Sequence, residues 1–361
     1  MLQKSSKKKK SLDEPKTENK LLGLLNKILE KHSMTDIAKK INLSSSTINR
    51  WIELKNIPKT YEFDLLKMLS IDIDYSLYTS KDKDQFFTPI NTSIYCHKVF
   101  CETMKNIGEN ESLYNYIEPS AGDGSFLNVL PKDRTIAMDI ESKHKDILTH
   151  DYLEWFPDKP KKYIVFGNPP FGLRGHLALR FINHSYKFAD FVCFILPQLF
   201  ESDGKGVPRK RVEGFNLIHS EKLRTNFLEP DTKKEIEVNT IFQIWAKNHK
   251  NEKYDLVENT NENLKIYSLS DGGTSSTTRN KKMKDICDIY LPSTCFGKEN
   301  MRYYTKFEDL PGKKGYGLVF NKDKKKLYKK ASEIDWLDIS FLSTNSAYNL
   351  RSSQIYSQFS S

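Results

Sequence analysis

Cysteine is scarce in this 361-residue chain, and its five copies (Cys96, Cys101, Cys193, Cys287 and Cys295) form no CxxC pair. That spacing suggests neither a disulfide framework nor a zinc site, so no metal-binding pattern is read and the thiols are expected to be reduced, in an intracellular protein. Long apolar runs are missing too. No stretch is long enough to span a bilayer, and the lysine-rich beginning lacks the apolar core of a signal peptide. Excess negative charge is also absent: 57 Lys+Arg face 47 Asp+Glu, a formal net charge of +10. A basic surplus favours a polyanionic partner, nucleic acid before anionic membrane, although a merely solubilising surface has the same composition.

Residues 1–20 lack aromatics and almost all apolar bulk, so they are expected to form a disordered basic tail with a cluster at Lys7–Lys10. Residues 21–78 carry helical periodicity instead. Leu21, Leu22, Leu24, Leu25 and Ile28 make one apolar stripe. Thr35 is expected to cap a helix bearing Ile37, Ala38 and Ile41, Asn42-Leu43 to turn, and Ser44 or Ser45 to cap a second helix bearing Ile48, Trp51 and Ile52. Two short helices joined tightly, the second rich in polar residues, resemble the helix-turn-helix of phage-repressor-type DNA-binding domains. The resemblance implies that Ser45, Ser46, Thr47, Asn49 and Arg50 face DNA. A small helical interaction module is the alternative.

Residues 71–84 read as a linker. From 79 to 250, short apolar strands (IEP, TIAMDI, YIVFGN, FVCFILP) alternate with helical segments, which indicates a doubly wound α/β sheet. Residues 251–361 open on a polar stretch containing DGGTSSTTRN and end with strand-like runs, GYGLVF and DISFL, expected in a small α+β region.

Chemistry concentrates at strand ends. In YIEPSAGDGSFL a strand ends at Glu118, and Gly122 and Gly124 let backbone approach a ligand before a helix expected to begin near Ser125. No Lys-Ser/Thr follows, so this is not a phosphate-binding P-loop. Glu118 and Asp123 would repel phosphate and suit a cation. Asp139 closes the next strand, where an acid can hold ribose hydroxyls. Asp151 follows a further apolar stretch and could bond an adenine amino group. In FGNPPFG two prolines fix the backbone around Asn168, an acceptor, and Phe171, a flat ring. Preorganised acceptors beside a ring suit a planar amine. Thr88, in FFTP, could cap the next helix or meet a ligand carboxylate.

In this order, over 84–248, these residues resemble the DNA adenine-N6 methyltransferases with the gamma arrangement of motifs: FFTP (motif X), EPSAGDGSF (I), Asp139 (II), Asp151 (III), NPPF (IV), FVCFILPQ (VI) and VNTIFQIW (VIII). The resemblance implies a Rossmann-like S-adenosylmethionine-dependent methyltransferase sheet. Thr88, Glu118, Gly122, Asp123, Gly124, Asp139 and Asp151 would hold S-adenosyl-L-methionine. Asn168, Pro169, Pro170 and Phe171 would form the catalytic loop, with Phe171 and Phe242 stacking a base flipped out of double-stranded DNA. Residues 251–361 would recognise the target, where Lys313, Lys314 and Lys324–Lys326 either meet phosphates or form a solvated face. No Pro-Cys dipeptide occurs, which argues against cytosine C5 chemistry. An RNA or protein-glutamine methyltransferase with the same NPP pocket, or an inactive helix-turn-helix regulator, remain the alternatives. Restriction-modification is one expected setting, with an orphan regulator or a viral enzyme left open; the localisation expected is cytoplasmic and DNA-associated (nuclear in a eukaryote), and a monomer is favoured.

Overall fold

The computed structural model describes residues 14–202, 207–232, 234–255, 262–273, 278–342 and 346–359. Most of the expected basic tail, including Lys7–Lys10, lies outside them. The chain divides into two compact units, Met1–Gln85 and Phe86–Ser361.

The first unit is helical: α1 (Glu14–Leu29), α2 (Met34–Lys40), α3 (Ser45–Leu54) and α4 (Glu62–Met68). Helix α1 therefore takes in 14–20, which composition had placed in the tail. Leu21, Leu25 and Ile28 bury with Ile37, Ile41, Ile48, Trp51 and Leu65 in one core. Ser33, not Thr35, caps α2: its Oγ accepts from Asp36 N at 3.1 Å, and Thr35 lies inside the first turn. Asn42 takes φ 55° at the end of α2, and Leu43 N donates back to Ala38 O at 2.7 Å. This left-handed cap turns the chain sharply into α3. Ser44 caps α3 by accepting from Thr47 N at 3.3 Å. The expected linker packs onto this unit. Tyr75 and Tyr78 lie edge-on to Phe63 at 5.4 and 4.8 Å, and Lys59 pairs with Asp82 at 2.6 Å. The break between units accordingly falls after Gln85 rather than after 78.

The second unit is built on a seven-stranded sheet, formed by β1 (Asn115–Glu118), β2 (Thr135–Asp139), β3 (Leu148–Thr149), β4 (Tyr163–Gly167), β5 (Phe191–Pro197), β6 (Asn216–Leu223) and β9 (Thr240–Ala246), ordered β3-β2-β1-β4-β5-β9-β6. Strands β1 to β5 run parallel, whereas β9 enters antiparallel between β5 and β6. A two-stranded hairpin, β7 (Asn226–Glu229) and β8 (Lys234–Glu237), bridges β6 to β9.

Strand alternation explains the layers. Tyr116, Phe166, Cys193 and Phe242 face one way and bury against α5 (Ile90–Asn106) through Cys96, Val99, Phe100 and Met104. Ile117, Val165, Val192 and Trp245 face the other way and bury against α6 (His176–Ser185) through Ala178, Leu179 and Ile182. Both faces are covered, so β5 and β9 are buried along their whole length; β5 reads as a continuous apolar run, and β9 does so apart from the buried Thr240 and Gln243. The helix expected near Ser125 is instead a series of turns: Asn128 N reaches Gly124 O at 3.0 Å and Leu130 N reaches Phe126 O at 2.9 Å. Pro131 ends it before a helix can grow.

The C-terminal part shares this compact unit. Strands β10 (Leu264–Ser270), β11 (Ile289–Pro292) and β13 (Lys314–Phe320) form an antiparallel sheet, and β12 (Thr294–Cys295), β14 (Phe341–Leu342) and β15 (Tyr348–Asn349) a smaller one. GYGLVF lies in β13. DISFL splits between a short helix and β14, because Asp335 caps the turn before it. Helices α7 (Lys324–Glu333), α8 (Trp336–Ile339) and α9 (Ser352–Phe359) complete the fold.

Candidate active site

From β1 the chain moves to β2 and β3 on one side, while β4 and β5 lie on the other. The order therefore reverses between β1 and β4. In an open α/β sheet, ligands bind outside the carboxyl ends of the strands at such a point. Glu118 ends β1, Asp139 ends β2, and Asn168 follows directly on β4. The fold thus brings to one sheet edge three of the residues that sequence reasoning singled out.

Glu118 is 1% exposed, and its Oε2 has no hydrogen-bond partner. Burial first, then the negative charges of Asp123 and Asp139, push its carboxyl well above the usual range, while the Phe126 and Leu127 amides pull the other way. A buried carboxyl among acids is costly to ionise unless a cation arrives. Asp139 is also buried and its carboxyl raised by that burial. Its two oxygens fasten the loops at the end of β1 and β2: Oδ2 accepts from Gly122 N at 2.9 Å, and Oδ1 from Glu141 N at 3.0 Å. Gly122 (φ 54°) and Gly124 (φ 85°) both adopt the left-handed region. A Cβ on Gly122 would meet the Phe87 ring at 3.2 and 3.3 Å, so glycine is what lets the loop lie against that ring. Asp123 is exposed and accepts from Ser125 N and Oγ at 3.3 and 3.0 Å. Asp151, half-buried, caps the turn at 152–154 by accepting from Leu153 N at 3.0 Å.

Asn168 donates through Nδ2 to Thr88 Oγ1 at 3.2 Å. Its Oδ1 is buried without a partner. Its backbone carbonyl accepts from Ser120 Oγ at 3.1 Å, and the Thr88 carbonyl accepts from Ser125 Oγ at 2.6 Å. The segments 86–89, 118–125 and 167–171 are therefore stitched together by side chains, with two acceptors left over, Glu118 Oε2 and Asn168 Oδ1. Pro169 is buried, and Phe171 is 9% exposed at the edge of the core cluster that holds Phe166. Thr88 touches the amide of Asn168, a contact the sequence did not suggest. Ser120, Ser125 and Phe87 were also missed, although each lies inside a quoted segment. Their signal was hydroxyls and a ring flanking the glycine loop.

Phe242 is not at this site. It is 0% exposed, packed 5.8 Å from Phe166 inside the sheet-helix core. In the middle of β9 its side chain points into that layer and has no face left for a base.

Elsewhere, Ser46, Asn49 and Arg50 of α3 are exposed. Ser45 and Thr47 are half-buried, and the Thr47 hydroxyl is engaged with Ser44 Oγ at 2.9 Å, so the exposed polar face is narrower than expected. In α7, Lys324 pairs with Asp288 at 2.9 Å, while Lys325 and Lys326 are exposed. Among the described residues, no helix is long and apolar enough to cross a membrane.

No protein-family model matches the chain. No curated protein matches it either. Among solved structures, it is similar to a proposed RNA methyltransferase from Pyrococcus horikoshii (19% identity, 45% of this chain and 86% of the other, TM-score 0.34). It is similar to a Thermoplasma acidophilum protein (18% identity, 42% and 85%, TM-score 0.29) and to a chain of a type I R-M system (12% identity, 64% and 61%, TM-score 0.26).

Proposed function

We propose that this protein is a site-specific DNA methyltransferase that methylates the N6 amine of an adenine flipped out of the duplex. The observation that carries the reading is the pair of buried, unpartnered oxygens at one sheet edge: Glu118 Oε2, which suits a cation, and Asn168 Oδ1, which suits an amine.

These residues fit S-adenosylmethionine, whose methionine end is cationic. Glu118 would pair with its ammonium, the Gly122–Gly124 loop would admit it closely, Asp139 would receive the ribose and Asp151 the adenine ring. Bound there, S-adenosylmethionine supplies a methyl group on a positively charged sulfur, already activated toward nucleophiles.

The chain's own task is then to prepare the amine. Asn168 Oδ1 and the Pro169 carbonyl accept the two amino hydrogens. This draws the nitrogen toward tetrahedral geometry and frees a lone pair otherwise delocalised into the ring. Thr88 occupies the Asn168 amide NH2, so Oδ1 faces the substrate. Fixed acceptors cost no reorganisation as positive charge grows on the nitrogen. Placement supplies most of the acceleration. The amide is too weak a base to take the proton, which passes to solvent after transfer. Phe171 supports the base from the edge of the core.

DNA is favoured over RNA or a protein amide by Phe at position 171, the FFTP segment and the polar face of α3, read as a recognition helix. The test is transfer of tritiated methyl to DNA, RNA and protein, with Asn168→Ala alongside. Label in the adenines of DNA, lost in the variant while S-adenosylmethionine still binds, is expected. Label in RNA or protein alone, or equal activity in Asn168→Ala, would overturn the reading.

A further inference from the structure

At the opposite end of the sheet, three side chains of different chemistry converge: His97, Cys101 and Glu111 each place one ligand atom within 4.8 Å of the others. Cys101 Sγ lies 3.7 Å from His97 Nε2 and 3.7 Å from a Glu111 carboxylate oxygen, Oε2. Those separations are long for hydrogen bonds to sulfur but close to the ~3.5 Å between ligand atoms that a tetrahedral zinc ion imposes, given bonds of ~2.3 Å to sulfur and ~2.0 Å to nitrogen. His97 and Cys101 sit one helical turn apart on the same face of α5. Glu111 lies in the segment just before β1.

The carboxylate is already oriented. Its other oxygen, Oε1, accepts from Tyr116 OH at 2.6 Å and from Arg134 Nη2 at 2.9 Å, and Arg134 also grips the Glu111 backbone carbonyl at 2.8 Å. Oε2 is thereby turned toward the thiol. A ligand carboxylate held by outer partners is what a metal site requires. The His97 ring is held against Tyr116 and Phe166, with centroids 6.2 and 6.1 Å away. All three residues are half-buried, so an ion can enter from solvent and keep a water in the fourth position.

We propose that His97, Cys101 and Glu111 bind one zinc ion. Thiolate, imidazole and carboxylate together select zinc over calcium or magnesium, which take oxygen ligands. The Cys101 thiol loses its proton to solvent as the sulfur–metal bond forms. Thiolate and carboxylate then balance the dication, leaving the neighbouring Arg134 as the residual charge. The ion clips the middle of α5 to the approach to β1. Because Glu111 precedes β1 and Arg134 precedes β2, this lies at the amino edge of the parallel strands, away from Asn168. The role is structural, and it touches the proposed active site through α5, which follows directly on Thr88 and Pro89, and through the His97 ring, which lies against Phe166 on the strand that leads to Asn168.

No such signal is legible in the sequence, because the three ligands are different residue types with no CxxC among them and Glu111 lies on a separate segment from His97 and Cys101. The inference is independent of the proposed methyl transfer.

The experiment uses the full chain without an affinity tag. Zinc is added to the demetallated protein, and bound metal is counted after dialysis. Cobalt(II) in its place reports thiolate ligation by a near-ultraviolet charge-transfer band. One equivalent is expected, with affinity at least 10-fold weaker in Cys101→Ser and in His97→Gln and with the cobalt band lost in Cys101→Ser. In parallel, iodoacetamide labelling of wild-type Cys101 is followed by mass spectrometry with and without zinc, which needs no variant to fold. Zinc should slow that labelling several-fold without changing the other cysteines. Absence of stoichiometric metal, undiminished binding in Cys101→Ser, or equal labelling of Cys101 with zinc present would each overturn the proposal.

Discussion

Asn168 gives its amide NH2 to Thr88 Oγ1 at 3.2 Å and keeps Oδ1 without a partner in a buried site. An asparagine side chain is nearly symmetric in shape, so a neighbour must decide which end faces the substrate. Here the neighbour comes from a segment 80 residues earlier in the chain. If Asn168 receives the amine as proposed, Thr88 is a positioning residue. Its valine isostere removes one hydrogen bond, about 1 kcal/mol, and lets the amide turn. Thr88→Val should lower kcat for DNA methylation about 5- to 10-fold while leaving the Kd for S-adenosylmethionine within about twofold, and Thr88→Ser should restore kcat. A loss confined to cofactor affinity, measured by calorimetry, would instead return Thr88 to the ligand-carboxylate role that the sequence suggested.

If Glu118 holds the cofactor's ammonium as proposed, cofactor binding should depend on pH. Its folded-state carboxyl is raised well above the ordinary value by burial and by Asp123 and Asp139. A raised carboxyl costs the folded protein stability once the unfolded chain has ionised. That cost is absent at low pH and grows as pH climbs from the unfolded value through the folded one. Binding a cation works in the opposite direction, since it needs the ionised form. S-adenosylmethionine affinity should rise with pH across that window, and proton release should appear as a dependence of binding heat on buffer ionisation enthalpy. In Glu118→Gln the proton release should vanish and affinity fall at least 10-fold, with the thermal midpoint at neutral pH unchanged or higher. An unchanged affinity in that variant would remove Glu118 from the cofactor site.

The glycine loop can be probed without touching a charge. Gly122 has φ 54°, and a Cβ there would meet the Phe87 ring at 3.2 Å. Gly122→Ala should therefore displace the loop and break the bond from Gly122 N to Asp139, weakening S-adenosylmethionine at least 10-fold. Backbone strain alone costs roughly 1–2 kcal/mol, which should appear as a lower thermal midpoint. Gly108→Ala serves as the control, because it too has positive φ (75°) but nothing within 4 Å of the added Cβ. It should lower the midpoint and leave cofactor affinity alone.

What the sequence revealed follows from where chemistry and chain geometry coincide. Asn168 and Asp139 were legible because each stands where an apolar run stops, and a parallel strand has to stop at the ligand edge. The glycine loop after Glu118 was legible as a strand-end segment for the same reason. Phe242 was not. Every residue of β9 is buried, so its apolar run carries no alternation to say which face Phe242 takes, and only the antiparallel entry of β9 beside β5 settles it. Ser33 was passed over for Thr35 because both can cap, and the choice depends on which residue leaves the helix. The bonds joining Ser120 and Ser125 to distant loops required the fold itself. Tyr75 and Tyr78 had looked like linker residues, and their packing on Phe63 depends on a chain reversal that no local pattern encodes.

The exposed face of α3 gives a prediction that separates finding DNA from modifying it. Arg50 and Asn49 are exposed, while the core side of the helix is held by Ile48 and Trp51. Replacing Arg50 with alanine therefore removes a charge without disturbing packing. If α3 meets the duplex, Arg50→Ala should weaken binding of a methylatable DNA several-fold. A phosphate contact would reduce the slope of log affinity against log salt by about 1, whereas a base contact would cost about 1–3 kcal/mol at one base pair only. Cofactor affinity and single-turnover methylation at saturating DNA should stay within about twofold. Unchanged DNA affinity and salt slope, measured by fluorescence anisotropy from low to moderate salt, would make the helical unit something other than a DNA reader and leave recognition to the second unit. A fall in single-turnover rate at saturating DNA would mean instead that α3 acts on the reacting complex and not on the search for it.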